Sequence, residues 1–282
     1  MLKKKLARMV ASLKEMQAVL ISYSGGVDSS LLLEVARQTL GNNVLAVTVD
    51  SPVYSKEELE FARRFTAKQN VRHKVIKIPH LNNPDFIKNP INRCYYCKSE
   101  LFRLLRSIAV KSGIKFILDG SNASDLEDFR PGRQAKKEFG IRSPLEECRI
   151  SKKEVYRLSR IYNLPSKTKP STVCFASRIP YGQKIRHQDL SMIEEAESYI
   201  RSLGIKEVRL RHYNLGASAG LALNGSRCLK LARIEVDKKD IPLLAAGRRR
   251  QVIRRLRRLG YNFVALDLEG YRLGSLHQFK HG

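Results

Sequence analysis

Long apolar runs are missing from this chain of 282 residues: charged side chains interrupt every one, so none can cross a bilayer as a helix. Acidic residues are scarce, 27 Asp and Glu against 53 Lys and Arg, which leaves a formal net charge of +26. Near the N-terminus, Lys3-Lys4-Lys5 is followed by Arg8, Lys14 and Glu15 instead of an apolar stretch. No secretory leader is therefore expected, and a cytoplasmic protein without membrane contact is. Cysteine is sparse, five residues in all. In that setting the cysteines point to metal or thiol chemistry more than to disulfides. Low-complexity segments and internal repeats are also absent. The length suffices to bury a sizeable core and to form two domains.

The most informative segment that is present runs from Ser24 to Ser30. Ala18-Val19-Leu20-Ile21 reads as a buried strand, Leu31 to Ala36 as a helix, and Ser24-Gly25-Gly26-Val27-Asp28-Ser29-Ser30 lies between them. A glycine pair lets backbone N–H groups close on an anion, and the helix N-terminus adds positive potential. The Ser24, Ser29 and Ser30 hydroxyls supply further donors. No Lys follows the glycines, so this is not a Walker-type loop. The pattern resembles the PP-loop of the ATP pyrophosphatase superfamily, whose members release pyrophosphate while adenylating a carbonyl or carboxylate oxygen. The bland competitor is an ordinary glycine-rich turn between strand and helix.

The hydrophobic pattern places a basic amphipathic helix at 1–17, then alternates. Strands are predicted at 19–23, 44–49, 71–78 and 116–118, with helices after Asp28 and at 57–70 and 98–112. That order predicts an α/β fold, a parallel doubly wound sheet, with ligands at the carboxyl ends of its strands. A further helix is expected over 145–161, with Pro165 and Pro170 marking the linker after it. Residues 1–182 form the expected first domain. Residues 183–282 form a smaller α+β domain with a helix at 189–203, strands at 208–211, 230–236 and 263–266, and an arginine-rich helix near 242–259.

Two strand ends carry chemistry. Asp50 and Ser51 follow the second strand, and Asp119-Gly120-Ser121-Asn122 follows the strand at 116–118. Such loops offer backbone donors and carboxylates to adenylate, ribose or Mg²⁺, although the same residues dominate plain turns. Cys94 and Cys97 form a CxxC, and Cys174 stands in a second conspicuous segment, 169–182. Three thiolates sharing a [4Fe–4S] cluster leave one iron open for an exogenous sulfide. A zinc site and a redox CxxC are the alternatives, though no HxxxH lies nearby to close a zinc knuckle. Cys148 and Cys228 stand alone and read as buried small hydrophobes. Arg178, Arg130 and Arg133 can bind phosphate or carboxylate, with a salt bridge as the competitor. Arg209, Arg211 and Glu235 on the second-domain strands face either a ligand or solvent.

Taken together, SGGVDSS at 24–30, RCYYCK at 93–98, DGSNASDLEDFRPGR at 119–133, KPSTVCFASRIPYG at 169–182, LARIEV at 231–236 and LDLEGYRLGS at 266–275 resemble the LarE family. These are the ATP-dependent sulfur transferases of nickel-pincer nucleotide cofactor synthesis. The resemblance implies that ATP–Mg²⁺ adenylates a carboxylate of pyridinium-3,5-biscarboxylic acid mononucleotide and that sulfur then displaces AMP, twice in succession. It implies phosphate contacts from Ser24, Gly25, Gly26, Asp28, Ser29 and Ser30. It also implies substrate contacts from Arg178, with Glu197, Arg209, Arg211 and Glu235 at the substrate or metal site, and a homo-oligomer. Members with a single cysteine in the CxASRIP motif give up that sulfur; members that also carry the CxxC use three cysteines for a cluster. Cys94, Cys97 and Cys174 favour the cluster form here, with a sulfur donor among the partners and Cys174 as the catalytic residue. One departure is the stretch 213–230, longer than the turn expected in the family.

Two other readings stay open. A tRNA thiolase shares the PP-loop and the three-cysteine logic and would use the positive charge to hold RNA; tRNA is not favoured as a partner but not excluded. An amide-forming adenylating ligase would use the cysteines for structural zinc. The densest run of charge, Arg248 to Arg258, has Val252, Ile253, Leu256 and Leu259 at helical spacing. It reads as a solvated helix with one apolar stripe before it reads as an RNA-binding arm.

Overall fold

The computed structural model describes residues 1–127, 131–168, 174–215 and 229–272. The chain divides into two compact units, Met1–Phe86 with Asn92–Thr172, and Ile87–Ile91 with Val173–Gly282. The first unit runs α1 (Leu2–Met16), β1 (Val19–Ser22), α2 (Val27–Leu40), β2 (Val44–Asp50), α3 (Lys56–Lys68), β3 (Arg72–Lys77), α4 (Pro84–Ile87) and α5 (Arg93–Lys111). It continues with β4 (Phe116–Leu118), α6 (Gly132–Glu138), α7 (Pro144–Glu147) and α8 (Lys152–Ile161). Its sheet has four parallel strands in the order β3-β2-β1-β4.

Successive side chains of a strand point to opposite faces, and here each face meets its own layer of helices. Val19, Ile21, Val44 and Ala46 pack with Met9 and Leu13 of α1, Leu31 and Leu32 of α2, and Val155 and Leu158 of α8. Leu20, Leu45 and Val47 pack on the other side with Leu101, Phe102 and Leu105 of α5 and Ala135 of α6. Both faces are covered, as the sequence pattern of a doubly wound sheet requires.

Three elements differ from expectation. Helix α5 starts at Arg93, five residues earlier than predicted, so both cysteines of the CxxC lie on its first turns. The single helix expected over 145–161 is broken into α7 and α8, with Arg149 between them at φ 55°. Its cause is local: Ser151 accepts from the Glu154 backbone N–H while the Glu154 carboxylate accepts from Ser151 N–H, a capping box that starts a new helix. The arginine-rich helix is α10 (Arg249–Arg258), preceded by a wider π turn over Leu243–Gly247.

The second unit contains α9 (His187–Ser202), β5 (Val208–Asn214), β6 (Lys230–Val236), α10 and β7 (Phe263–Leu266). The three strands are ordered β5-β6-β7, antiparallel between the first two and parallel between the last two. Leu215 N–H donates to the Leu229 carbonyl at 2.7 Å, extending the β5–β6 pairing; residues 216–228 of the 213–230 stretch lie outside the described residues. Leu190, Ile193, Ala196 and Ile200 of α9 are buried, as are Val208, Leu210, Ala232, Ile234 and Val236 of the sheet.

A charged cluster is buried in this unit as well. Asp189 lies 3.0 Å from the Lys230 ammonium and 3.3 Å from His212 Nε2, and it accepts from Asn214 Nδ2 at 3.2 Å. His212 Nδ1 meets the Tyr261 hydroxyl at 3.0 Å. Burial acts to raise the Asp189 pKa, but His212 and then Lys230 outweigh it and hold the carboxyl down at about 2. A depressed carboxyl stabilises the fold at every pH above its unfolded value and loses that contribution as protons fill the folded site. Urea midpoints should therefore fall between about pH 4 and pH 2, and Asp189→Asn should flatten this part of the profile. Identical profiles for the two proteins would refute the assignment.

Candidate active site

The loop after β1 is built around a backbone that only glycine tolerates. Gly25 sits at φ +77°, where a Cβ would also come within 3.0 Å of the Glu58 carbonyl. Gly26 caps α2, which begins at Val27 and carries Asp28 in its first turn. Ser24 Oγ lies 3.1 Å from Ser29 Oγ and accepts from Gly26 N–H at 3.3 Å, while the Ser29 hydroxyl reaches the Gly26 carbonyl at 3.1 Å. These groups leave the head of α2 lined by hydroxyls and amides, a natural seat for phosphate. Ser30 is different: it is fully buried and its hydroxyl pairs with that of Tyr23 at 3.2 Å.

The loop after β4 comes against this head. A Cβ on Gly120 would stand 2.8 Å from the Ser29 nitrogen, so a side chain there has no room. Asn122 Nδ2 donates to Asp28 Oδ1 at 3.1 Å, and Lys152 Nζ reaches Asp28 Oδ2 at 2.5 Å. Asp119 accepts from Ser121 N–H and its hydroxyl, and from the Ser143 hydroxyl at 2.5 Å; Lys136 stands 3.7 Å away. The structure thus brings together Ser24, Gly25, Gly26, Asp28, Ser29, Gly120 and Asn122 from the sequence-derived set. It adds Lys152, Ser143 and Lys136, which no local signal connects to the loop.

At the end of β2, Ser51 Oγ meets His80 Nδ1 at 2.7 Å, and His80 Nε2 lies 3.3 Å from Cys97 Sγ. The Tyr54 hydroxyl is 3.5 Å from the same sulfur. His80 is completely buried, and burial, outweighing a hydrogen bond with the Cys97 backbone, pulls its pKa down to about 4. Its ring is neutral at pH 7, with Nδ1 facing the Ser51 hydroxyl and Nε2 the sulfur. Cys94 is exposed and Cys97 buried. Three residues apart on α5, they sit on neighbouring positions of one helix flank. Cys148 is buried in the core, and Cys228 lies outside the described residues. Within neither unit do three or more His, Cys, Asp or Glu side chains gather as metal ligands among the described residues.

Cys174 belongs to the second unit, where it caps a short 3₁₀ turn, Phe175–Arg178. Arg178 is inside, not on the surface: its Nε and Nη2 donate to the two Glu197 oxygens at 2.7 and 3.2 Å, and its Nη1 to Ser177 Oγ at 2.8 Å. Glu197 is fully buried and also accepts from Leu210 N–H and from Arg201. Burial pushes its carboxyl up, but Arg178 prevails and keeps it below the ordinary range. Arg211 holds Glu235 Oε2 through Nε at 3.0 Å and Nη2 at 2.8 Å, and reaches the Ser177 carbonyl through Nη1; Arg233 takes Glu235 Oε1. Arg209 lies over the Tyr271 ring, its pKa lowered by burial and then by Arg178. In the first unit Arg133 pairs with Glu146 at 2.9 Å, while Arg130 falls outside the described residues.

Comparison with known proteins adds to this geometry. Residues 17–88, the glycine loop included, match the family model described as queuosine biosynthesis protein QueC. An uncharacterized protein of Synechocystis sp. is 39% identical over 99% of this chain and 98% of its own length. The pyridinium-3,5-bisthiocarboxylic acid mononucleotide synthase of Lactiplantibacillus plantarum is 33% identical over 97% of this chain and 94% of its own. An uncharacterized protein of Methanocaldococcus jannaschii is 30% identical over 95% and 98% respectively.

Two outcomes follow from the packing. Gly120→Ala should push the head of α2 aside and weaken ATP binding at least tenfold, about 1.4 kcal/mol, measured by calorimetry; unchanged affinity would show that the two loops do not form one cradle. Under brief alkylation of the native metal-free chain, Cys94 should be modified before Cys97, and peptide mass mapping that found Cys97 modified first would contradict its burial.

Proposed function

The chain belongs to the LarE family, that of the pyridinium-3,5-bisthiocarboxylic acid mononucleotide synthase, and from that premise we propose that it is an ATP-dependent sulfur transferase acting on pyridinium-3,5-biscarboxylic acid mononucleotide. The observation that carries the proposal is the glycine cradle at the head of α2, closed by Gly120 and bearing Asp28 and Asn122, in a chain similar to that synthase almost end to end.

In this reading Ser24, Gly25, Gly26, Asp28 and Ser29 hold the nucleotide phosphates, Ser30 supports the loop from within through Tyr23, and Asp50, Ser51, Gly120 and Asn122 stand at the rest of the nucleotide. Backbone amides and the α2 dipole stabilise the charge that builds on pyrophosphate as it leaves. Asp28 is a carboxylate of the type Mg²⁺ takes, and Lys152 beside it holds that carboxylate in place. A substrate carboxylate oxygen attacks the α-phosphorus, the bond to pyrophosphate breaks, and an acyl adenylate forms. Sulfur then attacks the carbonyl carbon, a C–S bond forms, and AMP departs with the C–O electron pair. Arg130, Arg133, Arg178, Arg209, Arg211, Glu197 and Glu235 form the substrate-side set. The buried carboxylates Glu197 and Glu235 hold Arg178 and Arg211 in fixed orientations.

Cys94, Cys97 and Cys174 are the donor set for a [4Fe–4S] cluster: thiolates suit iron, and three of them leave one iron open. When bound, such a cluster supplies a sulfide for transfer. His80 and Tyr54 lie where they can donate hydrogen bonds to the Cys97 sulfur and fix its direction. A homo-oligomer and a separate sulfur donor complete the reading, and the chain works in the cytoplasm.

Anaerobic turnover with the biscarboxylate nucleotide and ATP, followed by mass analysis of product and protein, tests it. AMP, pyrophosphate and a thiocarboxylate product are expected, with the protein mass unchanged. A protein lighter by one H₂S would replace the cluster route with a sacrificial Cys174, and zinc without iron in the anaerobically purified protein would remove the cluster. Cys174→Ala should still release pyrophosphate but lose sulfur transfer by several orders of magnitude; normal transfer would refute its role.

A further inference from the structure

The sulfur chemistry leaves the arginine run unexplained. Helix α10 turns Val252 and Leu256 inward, and Arg249, Arg250, Arg254, Arg257 and Arg258 outward. Together with half-buried Ile253, these five arginines form one open flank of the helix. The positions recur as adjacent pairs every four residues, giving a stripe two side chains wide and about 15 Å long at 1.5 Å per residue. Among the described residues, the one arginine of this helix in an ion pair is Arg255, 3.4 Å from Glu195. From Ile241 to Leu266 there is no Asp or Glu, and the stretches 216–228 and 273–282 of the same unit contain none either. Among the described residues, none of the five arginines of the stripe is in an ion pair.

We propose that this face of α10 docks on the phosphate backbone of double-helical RNA. Every cation of the stripe is an arginine, whose planar fork matches phosphate oxygens in pairs. A helix that inserts into a membrane surface carries apolar side chains on the face that meets the lipid, and those of α10 are turned into the protein. A protein partner would call for an apolar or aromatic anchor at the centre of the patch, where only the partly covered Ile253 stands. The major groove of B-form DNA is about 12 Å wide, which sets its two phosphate rows well apart, so a flat stripe resting on the ridge meets one row at a time. The deep, narrow major groove of A-form RNA brings two phosphate rows close together, and a two-column stripe can meet both. With no aromatic side chain in the stripe to stack on a base, the contact reads backbone and shape, not sequence.

The test uses the full chain and a fluorescent RNA duplex of about 16 base pairs, a length that spans successive grooves. Anisotropy is followed from about 50 to 200 mM salt. Wild-type protein should bind with a steep salt dependence. Replacing Arg250, Arg254, Arg257 and Arg258 together by Gln should reduce the slope of log K against log salt by about one unit per arginine and weaken binding at least tenfold. The same number of charges removed from α1, by Lys3→Gln, Lys4→Gln, Arg8→Gln and Lys14→Gln, should leave the slope within one unit of wild type. All eight side chains are exposed, so both variants should keep the wild-type circular dichroism spectrum. Equal losses from the two variants would reduce the effect to overall charge and overturn the proposal. So would equal affinity for a DNA duplex of the same sequence, or binding to anionic vesicles that RNA does not compete away.

Discussion

The close approach of Gly120 to the start of α2 is the constraint on which the first unit depends. With no room for a Cβ between Gly120 and the Ser29 nitrogen, the loops after β1 and β4 are locked as one surface. Parallel pairing of β4 with β1 brings the two strand ends to the same edge, and the Asn122–Asp28–Lys152 contacts close the join. The head of α2, with its free amides, is thereby fixed by the fold itself, the condition under which dipoles stabilise developing charge without reorganising.

The second unit is organised by charge taken out of water. Glu197 and Glu235 are fully buried, and each is met by two arginines. A buried pair adds little net stability over an apolar replacement, but removing one partner strands the other at a cost of about 3–5 kcal/mol. What such pairs secure is direction: a guanidinium held bidentate cannot swing. A guanidinium held in this way presents its planar fork in one direction, and no ordering cost is left to meet when an anion arrives.

How much of this could be read from the chain depends on sequence distance. The SGGVDSS loop, the alternating strands and helices and the inward apolar side of α10 are local patterns, each fixed by residues within a turn or two of one another. The partners that complete the site are not. Lys152 meets Asp28, Ser143 meets Asp119, and His80 meets Ser51 and Cys97 only after the sheet has assembled, and a polar residue in a loop carries no mark of its distant contact. Arg178 shows the same limit: its local sequence offers an anion ligand or a salt bridge, and only the folded unit shows that it is buried with its guanidinium on Glu197. The break between α7 and α8 was legible in principle, because Ser151-Lys152-Lys153-Glu154 has the spacing of a capping box, outweighed by the apolar pattern running through it.

The second unit is also discontinuous in the chain. Ile87–Ile91 belongs to it although the rest begins at Val173. Asn89, completely buried, donates to the Ile179 and Pro180 carbonyls, and its own carbonyl accepts from Gly182 N–H. During synthesis this strap leaves the ribosome long before its hydrogen-bonding partners exist. The vectorial order of translation is thus at odds with the order of assembly, and no single cut in the gene yields both halves whole.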